Sequence, residues 1–176
     1  MWRRRSATAG RRRVPELSFR AARPEDAEAL WAVLEPVVRD GTTYPVDPEA
    51  SREDIFAYWF APDKQVFVAE IDGEIVGSYY LKPNSTGPAS HVANAGYMVR
   101  PDIRRQGVAR GMALDSFARA KAAGFRAMQF NLVIATNSAA ISLWRSVGMG
   151  EVGRLTEAFR KPSGEYVDAL VMYRLL

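Results

Sequence analysis

Between His91 and Val133 the chain passes from an apolar strand-like run through a basic, glycine-bearing turn into a helix, then into a second strand-like run. His91 to Val99 reads as the first strand and Val108 to Ala123 as the helix, with Gly124 in the C-cap position. Ala127 to Val133 is the second strand. This succession is a crossover, and it commits the chain to a mixed α/β sheet. The turn itself is Arg104-Arg105-Gln106-Gly107-Val108-Ala109-Arg110-Gly111. A helix N-terminus presents unpaired N–H donors and the positive end of the helix dipole. Gly107 and the small Ala109 let such a backbone approach an anion closely. The turn therefore reads as a phosphate cradle.

The flanking segments fill out the sheet. Leu17 to Ala21 is a short first strand. Pro24 suits an early helical position, and Ala27, Leu30, Trp31, Leu34 and Val38 recur at helical spacing. The loop Gly41-Thr42-Thr43-Tyr44-Pro45 leads to a second helix, expected from about Pro48 to Phe60. Gln65 to Ile71 and Glu74 to Leu81 flank Asp72-Gly73, a strong hairpin signal. Asn137 is a good N-cap for a helix in which Ala140, Leu143, Trp144 and Val147 share one face, and Gly148 stops it. Glu151 to Glu157 and Tyr166 to Arg174 are the closing strands, joined by Pro162-Ser163-Gly164. About seven strands and four helices result, in a single domain over residues 14–176.

Composition narrows the chemistry. With 176 residues and no cysteine, the chain has no thiolate nucleophile, disulfide or cysteine-zinc site, and its single histidine, His91, rules out a histidine-rich metal site. No metal is expected. The net charge is +4, yet six arginines lie in residues 1–13, so the remainder carries −2. The basicity belongs to a tail, expected to be a disordered extension or an upstream translation start, with a faint likeness to a transit peptide. Neither nucleic acid nor membrane is an expected partner, and the cytoplasm is the expected location.

Together these motifs resemble the GNAT-type, acetyl-CoA-dependent N-acetyltransferases. That family's pattern of Arg or Gln, two residues, Gly, one residue, then Gly or Ala matches Arg104, Gly107 and Ala109. Its later motif, an Asn before a helix ending in Gly and a large apolar residue, matches Asn137 through Gly148-Met149. The likeness spans residues 17–176. It implies a sheet with splayed central strands and acetyl-CoA as co-substrate, its pyrophosphate on the amides of Gln106, Gly107, Val108, Ala109 and Arg110. Arg104, Arg105 and Arg110 would add charge. The pantetheine arm would pair with backbone at about Met98 and Val99, where a backbone N–H would also polarise the acetyl carbonyl. An amine attacks the thioester directly, so no protein nucleophile is required. Homodimers are common in the family, which makes one an expectation here.

Three asparagines carry the acceptor side. Asn94 and Asn131 lie inside strands, where asparagine is disfavoured and costly to bury unpaired, and Asn137 follows one. Alternation puts Val92, Asn94, Gly96 and Met98 on one face and His91 on the other. Such amides also serve to tie down loops, and both roles stay open. The stretches His91 to Gly96, Phe130 to Val133, Tyr166 to Ala169 and Gly41 to Asp47 resemble the branch of the family that acetylates L-azetidine-2-carboxylate and related cyclic imino acids. That likeness implies Asn94, Asn131 and Tyr44 at the substrate, Asn137 near the thioester, and Asn94 and Asn137 as catalytic residues.

The proton path is less defined. Many relatives carry a tyrosine as the acid in the last motif helix, whereas this chain has Trp144, whose indole is no useful acid. A thiol of pKa roughly 8.5 is able to leave unaided. Asp168, a carboxylate in an apolar strand, is a candidate base if burial raises its pKa, with a paired structural carboxylate as the other reading. His91 is a weaker candidate, and Glu70 reads as a solvated strand end. Two alternatives accompany a small-molecule acetyltransferase: a protein or peptide N-acetyltransferase, and a non-catalytic acetyl-CoA-binding regulatory domain.

Overall fold

A computed structural model describes residues 16–103 and 106–176, so the arginine-rich tail and Arg104 and Arg105 lie outside the described residues. Seven strands form one sheet in the order β1-β2-β3-β4-β5-β7-β6. They are β1 Leu17–Ala21, β2 Gln65–Ile71, β3 Glu74–Pro83, β4 Val92–Val99, β5 Ala127–Ile134, β6 Gly150–Arg160 and β7 Tyr166–Leu175. The helices are α1 Ala27–Asp40, α2 Arg52–Trp59, α3 Val108–Ala122 and α4 Ser138–Ser146. Local chemistry sets the boundaries. Asp72 and Gly73 take the left-handed backbone of a tight hairpin turn between β2 and β3. Asn137 caps α4, its side chain accepting from the Ala140 N–H at 3.0 Å. The second helix begins at Arg52, later than Pro48, because the Ser51 hydroxyl caps it by accepting from the Asp54 N–H at 3.1 Å.

The two faces of the sheet bury separate cores. Leu30, Val33, Leu34 and Val38 of α1 and Ile55 and Trp59 of α2 pack with Tyr80 and Met98 on one side. Val108, Met112 and Phe117 of α3 and Trp144 of α4 pack with Tyr79, Ala93 and Met128 on the other. Every neighbouring pair of strands is antiparallel except β4 and β5, which run parallel around α3. That parallel pairing holds only at Val92 with Ala127 and Ala93 with Met128, after which the strands part. Among the described residues no helix is long and apolar enough to cross a membrane.

Candidate active site

The gap between β4 and β5 is a cavity of about 470 Å³. Its β4 side follows from ladder parity. The Arg100 N–H donates to the Val76 carbonyl and the Asn84 N–H to the Val92 carbonyl, so even-numbered residues of β4 turn their backbone groups to β3. Met98 therefore faces Ser78 with its backbone, and Tyr97 and Val99 face the gap. Met98 lines the cavity with its side chain. The gap-side groups of Tyr97 are engaged by one phenol: the Tyr44 hydroxyl accepts from the Tyr97 N–H at 2.6 Å and donates to the Tyr97 carbonyl at 2.8 Å. Burial pushes the Tyr44 phenol well above its ordinary pKa, so it acts as a neutral donor and acceptor.

Rings close the side of the cavity toward α3 and α4. Trp144 packs edge-on to Phe130 with centroids 4.8 Å apart and lies 5.0 Å from Tyr97. The Tyr97 hydroxyl is hydrogen-bonded to Ser116 on α3 at 2.7 Å, which fixes the ring beneath the gap. On the other face a close approach shapes the wall. A Cβ on Gly96 would stand 2.5 Å from the Tyr80 ring, so only glycine lets that tyrosine lie flat against β4.

The three asparagines all line this cavity, with different duties. Asn94 is buried and donates to the Gln129 carbonyl at 2.9 Å, bridging β4 to β5 just where their ladder ends. Asn131 is exposed, in a bulge of β5 against β7, and a bulge re-aims a side chain. It accepts from Gln129 at 2.9 Å and donates to Asn84 at 2.7 Å. Gln129 and Asn84 are parts of this network that local sequence does not reveal, because Asn84 sits in a turn-rich stretch where asparagine is ordinary. Asn137 spends its Oδ1 on the α4 cap.

Around Asn94 the rim is formed by Tyr58, Tyr80 and Lys82. Lys82 pairs with Asp63 at 3.0 Å. The Lys64 ammonium lies 3.8 Å from the Tyr58 ring centre and 4.3 Å from that of Tyr80. Burial, then the charge of Lys82, lowers the Lys64 pKa.

The candidate bases lie elsewhere. Asp168 accepts from the Glu157 N–H at 3.0 Å and pairs with Arg154 at 3.3 Å, and the first of these contacts, aided by the second, holds its pKa below the ordinary value. It is the structural carboxylate of a bulge in β6, not a base raised by burial. His91 is exposed, its Nδ1 3.0 Å from the Pro88 carbonyl. Glu70 is no solvated strand end: it accepts from Arg20 at 2.9 Å and is largely buried in that pair.

Beyond the open end of β4 lies the turn into α3. Gly107 is its N-cap at φ 78°, a left-handed conformation that a side chain rarely adopts. Its position leaves the first-turn amides of Val108, Ala109 and Arg110 without helical partners. Gln106 and Arg110 are exposed beside them.

The comparisons with known proteins agree with this architecture. A model of the Acetyltransferase (GNAT) family matches residues 28–149. N-acetyltransferase aca1 of Schizosaccharomyces pombe is 32% identical over 148 residues, covering 74% of this chain and 71% of that protein. A GCN5-related N-acetyltransferase from Kribbella flavida superposes with a TM-score of 0.84 at 38% identity, over 91% of this chain and 98% of its own. A GNAT superfamily phosphinothricin acetyltransferase from Sinorhizobium meliloti, in complex with AcCoA, has a TM-score of 0.79 at 20% identity, over 91% and 88% of the two chains, and shows likeness of fold.

Proposed function

This chain belongs to the acetyltransferase (GNAT) family and is an acyltransferase, and from that premise we propose that it acetylates the amine of a small molecule, cyclic imino acids such as proline analogues included. The donor is acetyl-CoA, and the acceptor attacks directly in a ternary complex.

The observation that carries this reading is the opening of β4 from β5 beyond Ala93, with unpartnered helix amides beyond its open end. Parallel strands that part at their carboxyl ends make a ligand crevice. The residues present fit acetyl-CoA. The amides of Gln106 to Arg110 suit its phosphates, with Arg104 and Arg105 as further charge, and the backbone of Tyr97 and Val99 suits its amide-bearing arm. When bound, the coenzyme supplies an activated acetyl carbonyl. The Tyr97 N–H, once a ligand takes it over from the Tyr44 hydroxyl, is the donor best placed to polarise a carbonyl in the gap, with Asn137 near it. Asn94, Asn131 and Tyr44 hold the acceptor.

Among the described residues lining the cavity there is no carboxylate or imidazole, which supports proton removal through water or a backbone carbonyl. The test is thiol release from acetyl-CoA with a panel of small amines that includes L-azetidine-2-carboxylate. Silence across the panel, with acetyl-CoA still bound, would leave a non-catalytic binding domain instead.

We propose the β6 edge as the interface of the expected homodimer. That edge strand exposes Val152 and Leu155, with Tyr166 of β7 beside its end. Light scattering on Leu155→Lys, expected to be monomeric, tests it.

A further inference from the structure

The rim of the cavity carries an uneven charge. Among the described residues lining it, Lys82 alone is charged, and the polar remainder consists of amides, hydroxyls and phenols. Burial raises the pKa of both Tyr58 and Tyr80, so the phenols add no negative charge. A cationic acceptor, a polyamine or a lysine-rich peptide, would meet Lys82 with Lys64 behind it, set against the single carboxylate of Asp63, which lies outside the lining.

Lys82 is also placed to act on the same molecule as Asn94. The two are direct partners in the β3–β4 register, so their side chains leave the sheet on one face. Opposite residues in such a pair stand about 5.5 Å apart at Cα. An acceptor the size of a single small ring spans that distance. Asn94 bonds to the Gln129 carbonyl through Nδ2, and its Oδ1 has no hydrogen-bond partner among the described residues. Among the described residues Lys82 is held by Asp63 alone, whose side chain is 54% exposed. A pair so open to solvent exchanges readily for another carboxylate.

We propose that Lys82 is the specificity residue of the acceptor site and binds the carboxylate of an amino- or imino-acid acceptor whose nitrogen end lies toward Asn94. The inference rests on the acetyl-transfer reading and sharpens it from small amines to amines that carry an acid. Asp63 tunes the site by competing for the same ammonium.

Matched acceptors test it: L-azetidine-2-carboxylate against its carboxamide, with the intact protein and its Lys82→Gln, Lys82→Arg and Asp63→Asn variants. The expected result is a KM for the acid raised about 10- to 100-fold in Lys82→Gln, the size of a lost charge-assisted hydrogen bond. In that variant kcat and the carboxamide KM stay unchanged, Lys82→Arg recovers most of the loss, and Asp63→Asn lowers the KM for the acid. Calorimetric binding of the acid to protein loaded with coenzyme A should weaken in parallel. Equal losses for acid and amide in Lys82→Gln would reduce the residue to a structural part and overturn the proposal. So would an unmodified protein that handles acid and amide alike. Absence of acetylation of any amine would instead remove the acetyl-transfer reading beneath it.

Discussion

One hydroxyl, that of Tyr44, satisfies both backbone groups of Tyr97 that face the gap, accepting from the N–H at 2.6 Å and donating to the carbonyl at 2.8 Å. The loop between α1 and α2 is thereby tied to the strand edge proposed to receive the coenzyme arm. A ligand that pairs with Tyr97 has to take these bonds over.

Tyr44→Phe should therefore separate stability from binding. Loss of the two bonds is expected to cost about 1–2 kcal/mol in chemical denaturation. Calorimetry should find acetyl-CoA bound more tightly, because its competitor is gone. Weaker binding would mean that Tyr44 stays in place and contacts the ligand.

Asn137 allows a cap to be distinguished from chemistry. Asn137→Ala is expected to lose about 1 kcal/mol with the α4 cap, whereas Asn137→Ser keeps a capping oxygen and most of that stability. If the amide serves the reaction, acetyl transfer falls in both variants. Full activity in Asn137→Ser would confine the residue to capping.

Gly96→Ala should damage the wall beside Asn94. The added methyl falls 2.5 Å from the Tyr80 ring, which is itself buried and edge-on to Trp59. Overpacking of this kind costs about 1–3 kcal/mol. Thermal unfolding should register it, and the double change with Tyr80→Leu should return part of the loss.

The β1 edge of the sheet has its own pH signature. Asp26 accepts from the Arg20 guanidinium at 2.7 and 2.9 Å, and chiefly for that reason its pKa lies below the ordinary 3.8. A depressed carboxylate contributes stability that is complete above the unfolded pKa and lost as pH falls through the folded one. Asp26→Asn should be less stable by about 1–2 kcal/mol at pH 7 and show a shallower acid limb below about pH 4. Parallel acid limbs in urea titrations of the two proteins would contradict this.

The order of elements was legible because turn and cap chemistry is local. Asp72-Gly73, Asn137 and Gly148 each act on their immediate neighbours, and their elements begin and end where those residues demand. Alternation likewise put Asn94, Gly96 and Met98 on one face. Which backbone groups of β4 face the gap was not legible, since that depends on the register with β3. The bulge that re-aims Asn131 depends on β7, and its partner Asn84 lies 47 positions away. Asp168 kept two readings open for a related reason: the partner that makes it a paired structural carboxylate, Arg154, arrives from the neighbouring strand.

The brief pairing of β4 with β5 also has a mechanical consequence. The four strands β1 to β4 are laddered to one another, and so, through bulges, are β5, β7 and β6, leaving two plates stitched at Val92 and Ala93. Compliance in such a sheet concentrates at the unstitched end, and the Asn94 bond to Gln129 is the last rivet before it. Molecules that span the gap would act as clamps, lending the two plates a rigidity that neither can give the other.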